Sequence, residues 1–103
     1  MQSVMHQQRV AWDAALAITA AARAGGAIFG LCRDRIAAVL GSTAAAALEA
    51  TRRRLSDPNA APNEGQVQAG LWRVRLDDAL RSDPSTAQHL RRLAADVAAR
   101  STH

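Results

Sequence analysis

Apolar residues recur along the chain every three or four positions, the spacing of helices that are covered on one face. The clearest example is the stretch 25–41, whose bulky apolar side chains fall within roughly one third of the helical circumference. Gly25 and Gly26 interrupt helix propensity before this stretch, and Gly41 is suited to the left-handed conformation that ends a helix. We therefore expect a bounded helix here, with the rest of the chain packed around it. Its apolar face consists of Ile28, Phe29, Cys32, Ile36, Val39 and Leu40.

The segment 3–24 before it is predicted to be a first helix with only a narrow polar strip. A strip this narrow indicates that the helix is covered on more than one side, by two other helices or by another subunit. Trp12 is interpreted first as a core anchor of this helix and, alternatively, as part of a partner-binding surface.

The run 14–32 approaches the length that a bilayer requires, and Arg23 is its one charged residue. Arg23 near the middle of a span would cost about 2.5–3.5 kcal/mol, and the Gly25-Gly26 pair would break the helix. A buried pair of helices is the preferred interpretation, and we expect no membrane contact.

A third helix is predicted after Gly41, with Ser42 or Thr43 as its cap and Leu55 near its end. The segment 56–63, SDPNAAPN, then contains the Pro, Asn and Asp residues of a turn-rich connector. It is the best internal boundary, between an N-terminal three-helix part and a C-terminal helical hairpin.

The fourth helix is predicted to open with a capping box of Asn63 and Gln66 and to run to about Arg81. It has two apolar stripes on nearly opposite sides. Either one stripe serves the fold and the other a partner, or the helix is central and packed on both sides. The first stripe is Ala69, Trp72, Leu76, Ala79 and Leu80, and the second is Val67, Leu71 and Val74.

The last helix is predicted to start at Asp83-Pro84, or at a box of Ser85 and Gln88, and to reach about Arg100. With the fourth helix it would form an antiparallel αα-hairpin. The sequence as a whole predicts an all-α fold: a compact bundle of about five helices, forming one domain over residues 1–103.

Composition changes this picture in two ways. Ala is abundant and aromatic residues make up 3% of the chain, so the core would be thin and self-association would supplement it. All 13 basic residues are Arg, and the net charge is +4. We interpret this usage as the product of a high-GC bacterial genome rather than of a polyanion site. The single Cys32 cannot form an intramolecular disulfide and fits a reducing cytoplasm.

No pattern in the sequence predicts catalysis, a cofactor or a metal. His6, His89 and His103 lie far apart, and no nucleophile is placed by helix spacing beside a base. Cys32 lies on the apolar face of its helix, which favours a buried, inert thiol. We therefore expect a protein that is not an enzyme.

One local pattern suggests DNA. Residues 36–43, IAAVLGST, resemble the first helix and turn of a helix-turn-helix, so that the motif would span about 33–55. The second helix departs from the motif because its recognition face would present Ala44, Ala46 and Ala47, which offer no donor to a base edge. Arg52, Arg53 and Arg54 at its far end would hold phosphates.

The preferred function is a non-catalytic helical protein-interaction or oligomerisation module, such as an adaptor or assembly component. Its partner would be a second copy of the chain or a larger protein of the same system. Nucleic-acid binding is the alternative. The predicted partner-binding residues are Val67, Leu71, Val74 and Trp12.

Overall fold

The computed structural model describes the backbone of residues 3–101 and the side chains of residues 8–101. This part of the chain forms five α-helices and no strand, which confirms the all-α prediction. The helices are α1 (Ser3–Ala24), α2 (Gly26–Leu40), α3 (Ser42–Ser56), α4 (Glu64–Ser82) and α5 (Thr86–Ser101). Within these residues no helix is both long and apolar enough to pass through a bilayer.

The centre of the bundle is α1, which packs against all four other helices and most extensively against α4 and α5. The prediction that the chain is organised around α2 is therefore wrong. The reason lies in side-chain size: alanines on several sides of α1 let neighbouring backbones approach closely, whereas α2 has one apolar face. The buried residues of α1 are Val10, Ala11, Ala14, Ala15, Ile18, Thr19, Ala21 and Ala22.

Single glycines separate the first three helices. Gly25 between α1 and α2 has φ +69°, and Gly41 between α2 and α3 has φ +98°. The Gly41 N–H donates to the Ala37 carbonyl, so the predicted helix end is confirmed. Ser42 and Thr43 are not the cap of α3, because Gly41 occupies that position and no side chain caps the helix.

A connector over 57–63 leads to the final pair of helices, α4 and α5, which pack on α1 more extensively than on each other. Asn63 takes the N-cap position of α4 as predicted, but its side chain makes no capping hydrogen bond. Before α5, the Asp83 carboxylate accepts hydrogen bonds from the Ser85 backbone N–H at 3.1 Å and the Ser85 hydroxyl at 2.7 Å. This turn delays the start of α5 to Thr86.

One hydrophobic core contains side chains from all five helices. Residues 56–63 therefore join α1–α3 to α4 and α5, and both of these last helices pack on α1. A salt bridge between described residues also links the parts, since Arg35 of α2 pairs with Asp96 of α5 at 2.7 Å.

Candidate protein-interaction surface

Three large aliphatic side chains on α4 face away from the core. Val67, Leu71 and Val74 are 45%, 61% and 52% exposed, and we call them the α4 stripe. The other apolar stripe of the helix, which includes Trp72 and Leu76, is buried. The two stripes thus do not make α4 a central helix. One serves the fold, and the other is left to solvent.

A second exposed apolar surface, the α1 patch, consists of Trp12 and Leu16, which are 42% and 45% exposed. The interpretation of Trp12 as a core anchor is therefore wrong. The neighbours of α1 approach it through alanines, and an indole at those contacts would hold the backbones apart. The α1 patch borders an open groove of about 640 Å³ that is also lined by Gln66 and Ala69 of α4.

A groove of about 540 Å³ runs between α3 and α4, and we call it the α3–α4 groove. The side of α4 contributes Leu71 and Val74, so the α4 stripe continues into it. The side of α3 contributes Ala47 and Ala50. Small side chains on one wall and exposed aliphatic side chains on the other leave room for the side chains of a docked segment.

The floor of the groove is a chain of hydrogen bonds between α3 and α4. The Trp72 indole N–H donates to Thr51 Oγ1 at 2.8 Å, and the Thr51 hydroxyl donates to Gln68 Oε1 at 3.1 Å. The Gln68 amide nitrogen donates to Glu64 Oε2 at 2.8 Å. Trp72, Thr51 and Gln68 are buried, and no buried polar side-chain atom of the described residues lacks a partner. The buried polar side-chain atoms of the floor therefore all have hydrogen-bond partners.

Two arginines line the same groove. Arg54 on α3 and Arg75 on α4 are exposed, and neither forms a salt bridge with a carboxylate of the described residues. The Arg75 guanidinium lies over the Trp72 ring, 5.4 Å from its centroid. The Asp78 carboxylate at the groove pairs instead with Arg81, at 2.6 Å. The groove consequently carries positive charge that the fold does not neutralise.

The three arginines predicted for phosphate contacts have different surroundings. Arg52 turns inward, donates to the Ala22 carbonyl at the end of α1 and lies 5.5 Å from the Phe29 ring centroid. It satisfies a carbonyl at a helix terminus and so has a role within the fold. The assignment of Arg52 to a phosphate stays a prediction. Arg53 and Arg54 are exposed. Ala44, predicted on the recognition face of the same helix, is buried.

Cys32 and His89, two of the side chains considered for chemistry in the sequence, have different surroundings: one is buried and the other is exposed. Cys32 is fully buried, and burial raises the pKa of its thiol to about 12, which confirms the buried thiol. No group of three or more metal-ligating side chains occurs among the described residues. The side chains of His6 and His103 lie outside the described residues, and His89 is exposed on α5.

Sequence reasoning identified the α4 stripe but missed the groove beside it. Arg75 follows Leu71 by four residues, so a helical projection already places it near the stripe. The position of Arg54 depends on how α3 lies against α4, and no local pattern encodes this arrangement. Family models, curated proteins and solved structures provide no match to this chain. Its function is therefore inferred from the geometry alone.

Proposed function

We propose that this chain is a non-catalytic protein-interaction module, an adaptor or assembly component, that docks through the apolar side chains of α4 and α1. The observation that carries the proposal is the α4 stripe, in which Val67, Leu71 and Val74 are all about half exposed or more. Fully burying one such side chain contributes roughly 1.5–3 kcal/mol. Adjacent exposed aliphatic side chains on one helix are typical of an interaction surface.

The partner is a second copy of the chain or a larger protein of the same system. Self-association is the simplest form, because a closed dimer with two-fold symmetry needs only one self-complementary surface. The alanine-rich core buries little area per side chain, which adds a reason for association. A cytoplasmic location belongs to the proposal, since the single Cys32 thiol is free.

Binding to duplex DNA is the alternative hypothesis. It depends on exposed arginines, of which the predicted triplet retains Arg53 and Arg54. Protein binding has the stronger support, because Leu71 and Val74 line the same groove as Arg54 and contacts with phosphates would not bury them.

Light scattering after size-exclusion chromatography tests the proposed function. The wild-type chain at high micromolar concentration is expected to be an oligomer. Leu71→Asp changes the α4 stripe, and Leu16→Asp changes the α1 patch. Whichever of the two substitutions lies in the interface between copies should shift the protein toward monomer. Circular dichroism should show that helicity is unchanged.

Gln88→Asp, at an exposed position on α5, is the matched control and should leave the oligomer intact. Duplex DNA is added in a separate titration at several salt concentrations. Tight binding to DNA that falls steeply with salt, by a wild-type monomer, would contradict the proposal and support the alternative.

A further inference from the structure

We propose that the α3–α4 groove binds an amphipathic helix of another protein, whose apolar side chains are flanked by Asp or Glu. This inference deepens the proposed function and rests on it, because it names the kind of partner that the α4 stripe recognises. Three features support it: the shape of the groove, its charge and what a second copy of the chain would bring to it.

The shape of the groove suits a helix. α3 packs mainly on α2 and α1, and α4 packs mainly on α1, so the space between α3 and α4 stays open. Ala47 and Ala50 form a low wall on one side, and Leu71 and Val74 project from the other. A helix laid between them would insert its apolar side chains against Leu71 and Val74, as in other helix-in-groove complexes.

The charge of the groove selects an acidic occupant. Arg54 and Arg75 lie at the groove without a carboxylate partner among the described residues. Asp78, a carboxylate that lines the groove, is engaged by Arg81 at 2.6 Å. A helix with carboxylates beside its apolar side chains would supply the missing partners and steer its own approach.

A second copy of the chain supplies the wrong chemistry for this groove. An interface made of two such grooves would contain Arg54 and Arg75 from both copies, and this excess of like charge makes it less favourable than an interface with an acidic partner. Duplex DNA would satisfy the arginines but would leave Leu71 and Val74 uncovered or facing phosphates. The groove is therefore assigned to another protein, and self-association is left to the α1 patch.

Three designed peptides test this inference. The groove extends from Gln68 to Asp78, about 15 Å along α4, and isolated helices need about 12–15 residues or more to form. Each peptide therefore has about 18 residues, with leucines on one helical face. The flanking positions are Glu in the first peptide, Gln in the second and Lys in the third. Binding is measured by fluorescence anisotropy at low and high salt.

The Glu peptide is expected to bind most tightly, with an affinity that falls as salt rises. The double variant Arg54→Glu and Arg75→Glu should bind the Glu peptide about tenfold more weakly and should gain affinity for the Lys peptide. Arg91→Glu with Arg92→Glu makes the same charge change at exposed positions of α5 and is the matched control. Leu71→Asp should abolish binding of every peptide.

The remaining outcomes separate the inference from the proposed function. Equal binding of the Glu and Gln peptides that Leu71→Asp abolishes would overturn the acidic partner and keep the docking surface. Failure of all peptides, with a wild-type oligomer that Leu71→Asp dissociates, would assign the groove to a second copy and overturn the inference alone. Failure of all peptides with a wild-type monomer would overturn both. Binding of duplex DNA that Arg54→Glu with Arg75→Glu weakens, without binding of any peptide, would identify a nucleic-acid groove and overturn the inference.

Discussion

The Trp72 indole N–H on α4 donates a hydrogen bond to the hydroxyl oxygen of Thr51 on α3, across 2.8 Å. The same hydroxyl donates to Gln68 Oε1, so Thr51 is both acceptor and donor in the floor of the α3–α4 groove. In the sequence Thr51 lies on the apolar face of α3, where a buried residue is expected. Its hydroxyl joins α3 to α4 through two hydrogen bonds from this buried position.

Thr51→Val tests this role. The substitution keeps the shape of the side chain but leaves the buried Trp72 N–H without an acceptor, which should lower the free energy of unfolding by about 1–3 kcal/mol. Thr51→Ser keeps the hydroxyl and should cost less, about 0.8 kcal/mol for the lost methyl group. Urea unfolding followed by circular dichroism measures both. Equal losses in the two variants would contradict a role for the hydroxyl.

Gly25 supports a different prediction, because its φ of +69° is unfavourable for any residue with a side chain. A Cβ at this position would also lie 2.6 Å from the Arg52 guanidinium. Gly25→Ala should therefore destabilise the fold by roughly 1–2 kcal/mol from the backbone alone. Gly30→Ala is the control, since Gly30 lies inside α2 and a Cβ added there would meet nothing within 4 Å. Gly30→Ala should raise the free energy of unfolding by about 0.5–1 kcal/mol. If urea unfolding shows that both substitutions change this free energy in the same direction, this role of Gly25 is contradicted.

The turn before α5 makes a prediction about pH. Hydrogen bonds from the hydroxyl and the backbone N–H of Ser85 lower the pKa of Asp83 from its ordinary value of 3.8, and the charge of His89 adds a smaller effect. A lowered pKa in the folded state means that the stabilisation is complete above the ordinary value and is lost as the pH falls through the lowered one. Ser85→Ala should move the pKa of Asp83 back upward, as measured by an NMR titration of the carboxyl group. Ser82→Ala, which removes a neighbouring hydroxyl, should not move it.

The buried thiol gives a probe of opening. The thiolate is the form that attacks an aromatic disulfide and displaces its aromatic thiolate. Burial raises the pKa of Cys32 to about 12 and hides the sulfur, so the native protein should resist labelling at pH near 8. Labelling should follow the unfolded fraction as urea is added. A variant with Cys32→Ala and Ala98→Cys, which moves the thiol to an exposed position, should react at once. Rapid labelling of wild-type Cys32 without urea would contradict its burial in solution.

The helix boundaries could be predicted because their causes are local. Gly25 and Gly41 have the positive φ that their positions demand, and Pro58 lies in the connector after α3. The single-faced apolar patterns were also informative. Ile36 and Leu76 are fully buried, because a helix with one apolar face has one way to cover it.

The exposure of the two tryptophans could not be predicted in the same way. Trp12 and Trp72 both occupy apolar positions at helical spacing, yet Trp72 is buried and Trp12 is 42% exposed. A helix that is apolar around most of its circumference does not encode which side its neighbours will cover. Which side of α1 is covered depends on how closely α4 and α5 can approach its alanines.

Contacts between distant helices are the other part that the sequence does not reveal. Arg35 and Asp96 are 61 residues apart and form a salt bridge at 2.7 Å. The α3–α4 groove likewise depends on Arg54 and Arg75, which belong to different helices. The rules of helix spacing apply within about one turn and are silent on such pairs. The α4 stripe was predictable as a surface, whereas its charged surroundings were not.

The central position of α1 has a consequence for the order in which the chain is made. A ribosome synthesises α1 before the other four helices, and the two helices that cover it most extensively, α4 and α5, follow last. During elongation the apolar sides of α1 have only α2 and α3 to contact. Contacts between segments so far apart in sequence form slowly, because a long loop must close first. The core is therefore complete only after α5 has been added, and until then the sides of α1 that α4 and α5 cover stay open.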